Sequence, residues 1–183
     1  LRSADNILDF WFSEPARKRW FKSTESFDAT IRIEFEAIAQ TLATADMPHA
    51  WEGQGPRAHL ALILALDQFP RNMYRGTAAM FAWDAQALAA AKRLVASDGD
   101  LALDQDARPF AYMPLMHSEN LDDQNACVEL CQDRLDGEDT LKFAVLHRDI
   151  IAQFGRFPHR NPLLGRKMTA DEQDYLDTGG FSG

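Results

Sequence analysis

The sequence predicts an all-α fold, and three observations carry that prediction. Apolar residues recur at three- and four-residue spacing through most of the chain. No segment alternates with the period of two that a half-buried strand requires. Residues that cap or break helices fall at the ends of the periodic runs. A chain of 183 residues, 46% hydrophobic and 26% charged, is most simply one globular domain, residues 1–183, with a sizeable core.

Taken in order, Ser3 is placed to cap "ADNILDFWF", where Ile7, Leu8, Trp11 and Phe12 share a helical stripe. Pro15 breaks that helix, and "RKRWF" forms a short helical turn at most. The next long helix is expected from about Ser26 to Thr44, with Phe27, Ile31, Phe35 and Ile38 on one face. "DMPHAWEGQGP" reads as a loop with a short helical piece. Gly55 and Pro56 then open "RAHLALILALDQF", apolar nearly all round and therefore a central helix.

Thr77 is placed to cap "AAMFAWDAQALAAAKRLVAS", which the turn Asp98-Gly99-Asp100 ends. Residues 101–116 are mixed, interrupted by Pro109 and Pro114. Ser118 starts the helix carrying Cys127 and Cys131, and Asp136-Gly137 stops it. Asp139 or Thr140 begins the last long helix, through Phe154. Thr169-Ala-Asp-Glu172 is a capping box for a short terminal helix.

Composition excludes several function classes. No apolar run approaches the roughly eighteen residues that span a bilayer, and no basic-then-apolar secretory signal opens the sequence. The two cysteines lie four apart on one helical face with parallel side chains, a poor geometry for a disulfide. Small core residues in a reducing cytoplasm fit them better. A net charge of −9 argues against a nucleic-acid or anionic-membrane partner. The charge is uneven, however. Residues 98–139 hold twelve acids and two arginines, whereas residues 142–168 hold six bases and one acid. An anion would go to that basic segment.

Two stretches, Asp67-Gln-Phe-Pro-Arg-Asn72 and Gly155-Arg-Phe-Pro-His-Arg-Asn161, repeat one pattern. Proline disfavours the α conformation in the residue before it, so Phe69 and Phe157 are expected helix ends or kinks. Asn72 and Asn161 tolerate the left-handed turn that leaves a helix. Arg71 and Arg160 can donate to the last carbonyls, so the motifs can be termination devices and nothing more. The functional reading starts from Arg75, Arg148 and Arg156 nearby, because arginine is the planar, bidentate partner of phosphate and carboxylate.

His147 shares a stripe with Phe143, Ile150, Ile151 and Phe154 and so faces inward, as a core histidine or a site residue. Asp67 sits on a helix buried all round and needs an Arg or His partner. If the two loops meet, Asp67, Arg71, Asn72, Arg75, His147, Arg148, Arg156, His159, Arg160 and Asn161 would line an anion-binding pocket. Its proton-transfer groups would be His147 or His159. His117 and Glu119 give only weak metal spacing, even with His147, Asp149 or His159 added, because Ser118 and Glu119 also suit a helix start. Core packing explains the aromatic residues at 10–12 and 20–21 better than a ligand stack. No nucleotide-binding glycine loop, nucleophile elbow or zinc-finger spacing occurs, so no metal and no cofactor is expected.

The pieces "ILDFWF", "RWF", "LALILALDQFPRNMYRGT", "YMPLMHSENL", "HRDIIAQFGRFPHRNPLLGR" and "TADEQDYL" run in order over nearly the whole chain. With them the chain resembles a bacterial family known as domain of unknown function 924. The resemblance implies stacked antiparallel helix pairs of the tetratricopeptide-like superfamily, although the thirty-four-residue consensus of true repeats is absent. It brings no established activity and no catalytic residues. Met116 and Asn120 stand where that family usually has acids, which weakens any metal role for residues 112–124. Two functions therefore remain open: binding, with or without turnover, of a small anionic or phosphorylated metabolite, and presentation of a helical groove to a protein or peptide partner.

Overall fold

The computed structural model describes residues 2–44 and 48–183. These form α1 (Ala4–Trp11), α2 (Glu14–Arg17), α3 (Glu25–Leu42), α4 (Pro48–Glu52) and α5 (Pro56–Met73). There follow α6 (Asp84–Ala96), α7 (Arg108–Met116), α8 (Leu121–Arg134), α9 (Asp139–Phe154) and α10 (Ala170–Asp177). Short 3₁₀ turns occupy Ala78–Phe81, Gly99–Ala102 and Pro158–Arg160, and there is no strand among the described residues. Residues 45–47 of the expected loop lie outside the described residues.

Helix α5 is the axis of the molecule. It is buried without interruption from Ala58 to Pro70, and α1, α3, α4, α6 and α7 pack around it. Helix α8 leans on α7 and α9, which extends the layer to the C-terminal elements. Aromatic rings close the end of the core next to the first Phe-Pro motif. Phe69 is fully buried and meets Phe35 at 5.0 Å and Trp11 at 5.8 Å between ring centroids. Burying each such side chain contributes about 1.5–3 kcal/mol. A smaller cluster of Ile150, Ile151 and Phe157, flanked by Phe154, Tyr175 and Phe181, holds α9 and α10 together.

Local signals set several boundaries as expected. Ser3 and Thr169 each cap through a reciprocal capping box, and Gly55 precedes Pro56 at the start of α5. Both cysteines are buried and free.

The start expected at Ser118 moves to Leu121, capped by the Asn120 side chain, and four further expectations fail, for identifiable reasons. Helix α5 does not stop at Phe69 but continues through Pro70 to Met73. Proline deprives the Leu66 carbonyl of its helical donor and disturbs the ladder there. Arg71 Nη1 supplies a donor one residue on, to the Asp67 carbonyl oxygen at 2.6 Å, and continuous burial outweighs the local cost. Likewise α7 runs through Pro114 because Phe110, Ala111, Tyr112 and Leu115 are buried on it. The helix expected after Thr77 is split by non-helical Trp83, which places Phe81 beside two arginines and Trp83 against Tyr74. Finally, neither asparagine is left-handed: Asn72 is inside α5, and Asn161 has φ −55° and ψ −46°. The left-handed exit of α9 falls to Gly155, with φ 68°.

Candidate functional site

The two Phe-Pro segments do meet, through one arginine each. Arg71, one turn beyond Asp67 on α5, donates from Nη1 and Nη2 to the two carboxylate oxygens of Asp84 at 2.8 and 3.0 Å. Asp84 stands in the first turn of α6, where the helix dipole favours a carboxylate. Arg160, in the 3₁₀ turn of the second segment, brings Nη1 to 3.7 Å from the same Asp84. Phe81 joins the pair, since both guanidinium groups lie over its ring, at 5.8 Å for Arg71 and 4.8 Å for Arg160.

Asp67 is fully buried and has both kinds of partner that its burial demands. His117 Nδ1 lies 2.8 Å from Oδ1, Gln68 donates to Oδ2 at 2.6 Å, and Arg71 Nη1 is 3.2 Å from Oδ1. Burial alone would raise this carboxyl; Arg71, His117 and Gln68 outweigh it and hold the group far below the usual carboxylate range. His117 sits at the C-cap of α7. Its imidazole is held below its ordinary range by burial and then by Arg71, against the pull of Asp67.

Arg160 differs from every other arginine in this region. It is only 6% exposed, yet its side chain donates no hydrogen bond among the described residues, and Nε is buried without a partner. The guanidinium lies over the rings of Phe157 and Phe81. Burial and the neighbouring Arg71 charge lower its pKa to about 10, against the attraction of Asp84 and Glu119. Its position is fixed from outside. Glu119 accepts from the Phe157 amide at 2.8 Å and forms a bidentate pair with Arg166, which also donates to Asn161 Oδ1 at 2.8 Å.

The other residues expected in the pocket lie elsewhere. Asn72 and Arg75 both point to Asp28 on α3, at 2.7 Å from Asn72 Nδ2 and 2.6 Å from Arg75 Nε. Arg148 pairs with the adjacent Asp149 near the surface. Arg156 clamps Glu172 on α10 and the Lys167 carbonyl. Asn161 braces Arg166 and faces Met168. These are fastenings of the fold, and they neutralise most of the basic segment.

His147 and His159 lie in the small aromatic cluster. His147 Nδ1 bonds the Phe143 carbonyl at 2.8 Å, and its ring meets Phe181 at 4.6 Å and Phe157 at 5.5 Å. His159 packs on the same two rings. Burial pushes both imidazoles down to about 4. Sequence reasoning omitted Phe81 and Asp84 from the site and weighed His117 only as a metal ligand. An inward histidine after a buried α7 was the available signal.

The depressed histidines fix a pH dependence. A histidine that binds its proton less readily when folded stabilises the fold above its ordinary value of 6.5 and loses that contribution as pH falls towards about 4. For His147 the loss amounts to about 3 kcal/mol at most. His159 adds less because it is partly solvated, and His117 and His59 act in the same direction. Urea unfolding followed from pH 7.5 to 4 should therefore show stability falling continuously. A flat profile across that range would refute the neutral, buried assignments.

Among the described residues no group of three His, Cys, Asp or Glu side chains is placed to hold a metal. No described helix is long and apolar enough to cross a membrane. A cleft of about 460 Å³ lies elsewhere, lined by residues that include Leu8, Phe12, Arg17, Arg57, Asp104 and Asp106. None of the residues around Arg160 lines it. Volume and chemistry thus point to different places. The chemistry is the better guide, because Arg17 is already paired with Asp106 at 3.0 Å whereas the Arg160 side chain has no hydrogen-bonding partner among the described residues.

A model of the bacterial family of unknown function DUF924 matches residues 7–180. The chain belongs to that family. This DUF924 protein is also similar to a solved structure, the protein of unknown function ATU0120 from Agrobacterium tumefaciens. The two share 38% identity over 96% of this chain and 97% of that one, with a TM-score of 0.87. Comparison with curated proteins gave no match. The all-helical fold is therefore common to both chains, and function has to be argued from the site.

Proposed function

We propose that this protein binds a small anionic metabolite, through a carboxylate or phosphate group, at Arg160. One observation carries the reading. Arg160 is a buried cation whose guanidinium donates no hydrogen bond among the described residues, with Nε enclosed and the Asp84 carboxylate 3.7 Å from Nη1, and such a group costs several kcal/mol to bury. Arg71 cannot relieve it, and Asp84 is already engaged in two hydrogen bonds with Arg71. An oxyanion beside the guanidinium would supply the missing acceptors in planar, bidentate geometry. Phe81 and Phe157 would keep the guanidinium in place and lower the local dielectric, which strengthens the pairing.

A thermal-shift screen with inorganic phosphate, nucleotides and organic acids tests this reading. At least one anion class is expected to raise the melting temperature of the wild type and not of Arg160→Met. Arg75→Ala, which alters the Asp28 fastening instead, should keep the response. An equal response in Arg160→Met, or silence across the whole screen, would overturn the proposal.

A further inference from the structure

We propose that His117 is the proton-accepting group of the Arg160 site, with Asp67 as its positioning residue, so that the bound anion is a substrate carrying a removable hydroxyl or water proton. The inference rests on the anion-binding reading above and adds a reaction class to it.

The tautomer follows from the contacts. Asp67 is ionised, because Arg71, His117 and Gln68 together outweigh its burial. A carboxylate only accepts, so the 2.8 Å contact from His117 Nδ1 must be an N–H donor. In the neutral ring the lone pair therefore belongs to Nε2, which has no protein hydrogen-bond partner among the described residues. The carboxylate itself cannot swing away. Gln68 holds Oδ2 at 2.6 Å while its own amide also touches Met113 Sδ at 3.2 Å, and Arg71 bonds the Asp67 carbonyl. An imidazole oriented through Nδ1 by a buried carboxylate, with Nε2 left free, is the arrangement general-base catalysis needs.

The proton balance is simple. The O–H bond of the substrate hydroxyl or water breaks, an N–H bond forms at Nε2, and the electron pair stays on the substrate oxygen. The imidazolium keeps its Nδ1–H on Asp67, whose charge offsets the new positive charge. The charged and titratable groups near His117 are Asp67 and Arg71 from α5, Asp84 from α6 and the neutral His147 from α9. Burial and Arg71 keep the ring unprotonated near neutral pH, ready to accept. His147 is less suited, because its ring is packed against Phe157 and Phe181.

Diethylpyrocarbonate modification, mapped by mass spectrometry on the full chain, tests the proposal. His117 should be carbethoxylated, and inorganic phosphate at about ten times its dissociation constant should slow that reaction roughly tenfold. The protection should vanish in Arg160→Met. Asp67→Asn keeps an acceptor for Nδ1 but removes the charge that favours imidazolium, so the pH midpoint of the reaction should move down. A histidine held only for packing would show neither the protected reaction nor the moved midpoint. If phosphate binds through Arg160 while His117 is unreactive or unprotected, the base assignment is overturned and anion binding stands. If phosphate and the other anions do not bind at all, both proposals fall.

Discussion

Arg160→Met should make the protein more stable by about 1–2 kcal/mol while removing its response to anions. Burial and then the Arg71 charge push the guanidinium down to about 10, which corresponds to about 3 kcal/mol of net unfavourable surroundings for the charged form. Against that stands the loss of two cation–ring contacts, each about 0.5–1 kcal/mol or more when desolvated. Methionine fills the same space and makes sulfur–aromatic contacts with Phe81 and Phe157, which recovers part of that loss. Guanidinium unfolding of the two proteins reads the difference. A variant clearly less stable than the wild type would mean that Arg160 serves the fold.

Asp67→Ala should do the reverse and cost about 3–5 kcal/mol. Its carboxylate is the shared acceptor of His117, Gln68 and Arg71. Truncation leaves the first two donors buried without it and reduces Arg71 to its pair with Asp84 and its bond to the main-chain carbonyl at position 67. The loss should appear as an earlier unfolding midpoint, with Asp67→Asn intermediate because its amide oxygen still accepts from His117. An effect below about 1 kcal/mol would show that water or a shifted side chain replaces the carboxylate, contrary to a fixed dyad. The opposite signs expected for neighbouring residues arise from one distinction. Asp67 is fully partnered by protein, and Arg160 is not.

What the sequence reveals and what it conceals divide along physical lines. The unbroken apolar run from Leu60 to Leu66 identifies α5 as central, because a helix without a polar face has to be enclosed. The same fact implies an Arg or His partner for Asp67, since a lone buried carboxylate is prohibitively costly. Capping at Ser3 and Thr169 is local chemistry and reads directly. Pro70 misleads, because its local cost is outweighed by burial of the surrounding turns, an energy that no neighbouring residue announces.

The site is only partly legible for a related reason. Asn72 and Arg75 reach Asp28, 44 and 47 residues back in the chain, and nothing in the motif fixes that direction. Arg71 in the last turn of α5 and Arg75 just past its C-cap thus go to different neighbours. Phe81 and Asp84 lie in what reads as an ordinary helix start, and their role appears only when the break at Trp83 places them beside the arginines. The basic segment likewise looks like a reservoir of positive charge. Folding pairs Arg148, Arg156 and Arg166 with Asp149, Glu172 and Glu119, and Arg160 is left at 3.7 Å from an acid already held by Arg71.

Calorimetric titration of the wild type, Arg160→Met and Arg75→Ala with the anion selected by the thermal screen addresses that residual charge most directly. Saturable binding by the wild type and by Arg75→Ala, with none by Arg160→Met, is the expected result. Undiminished binding by Arg160→Met would contradict the assignment and place the anion elsewhere on the molecule.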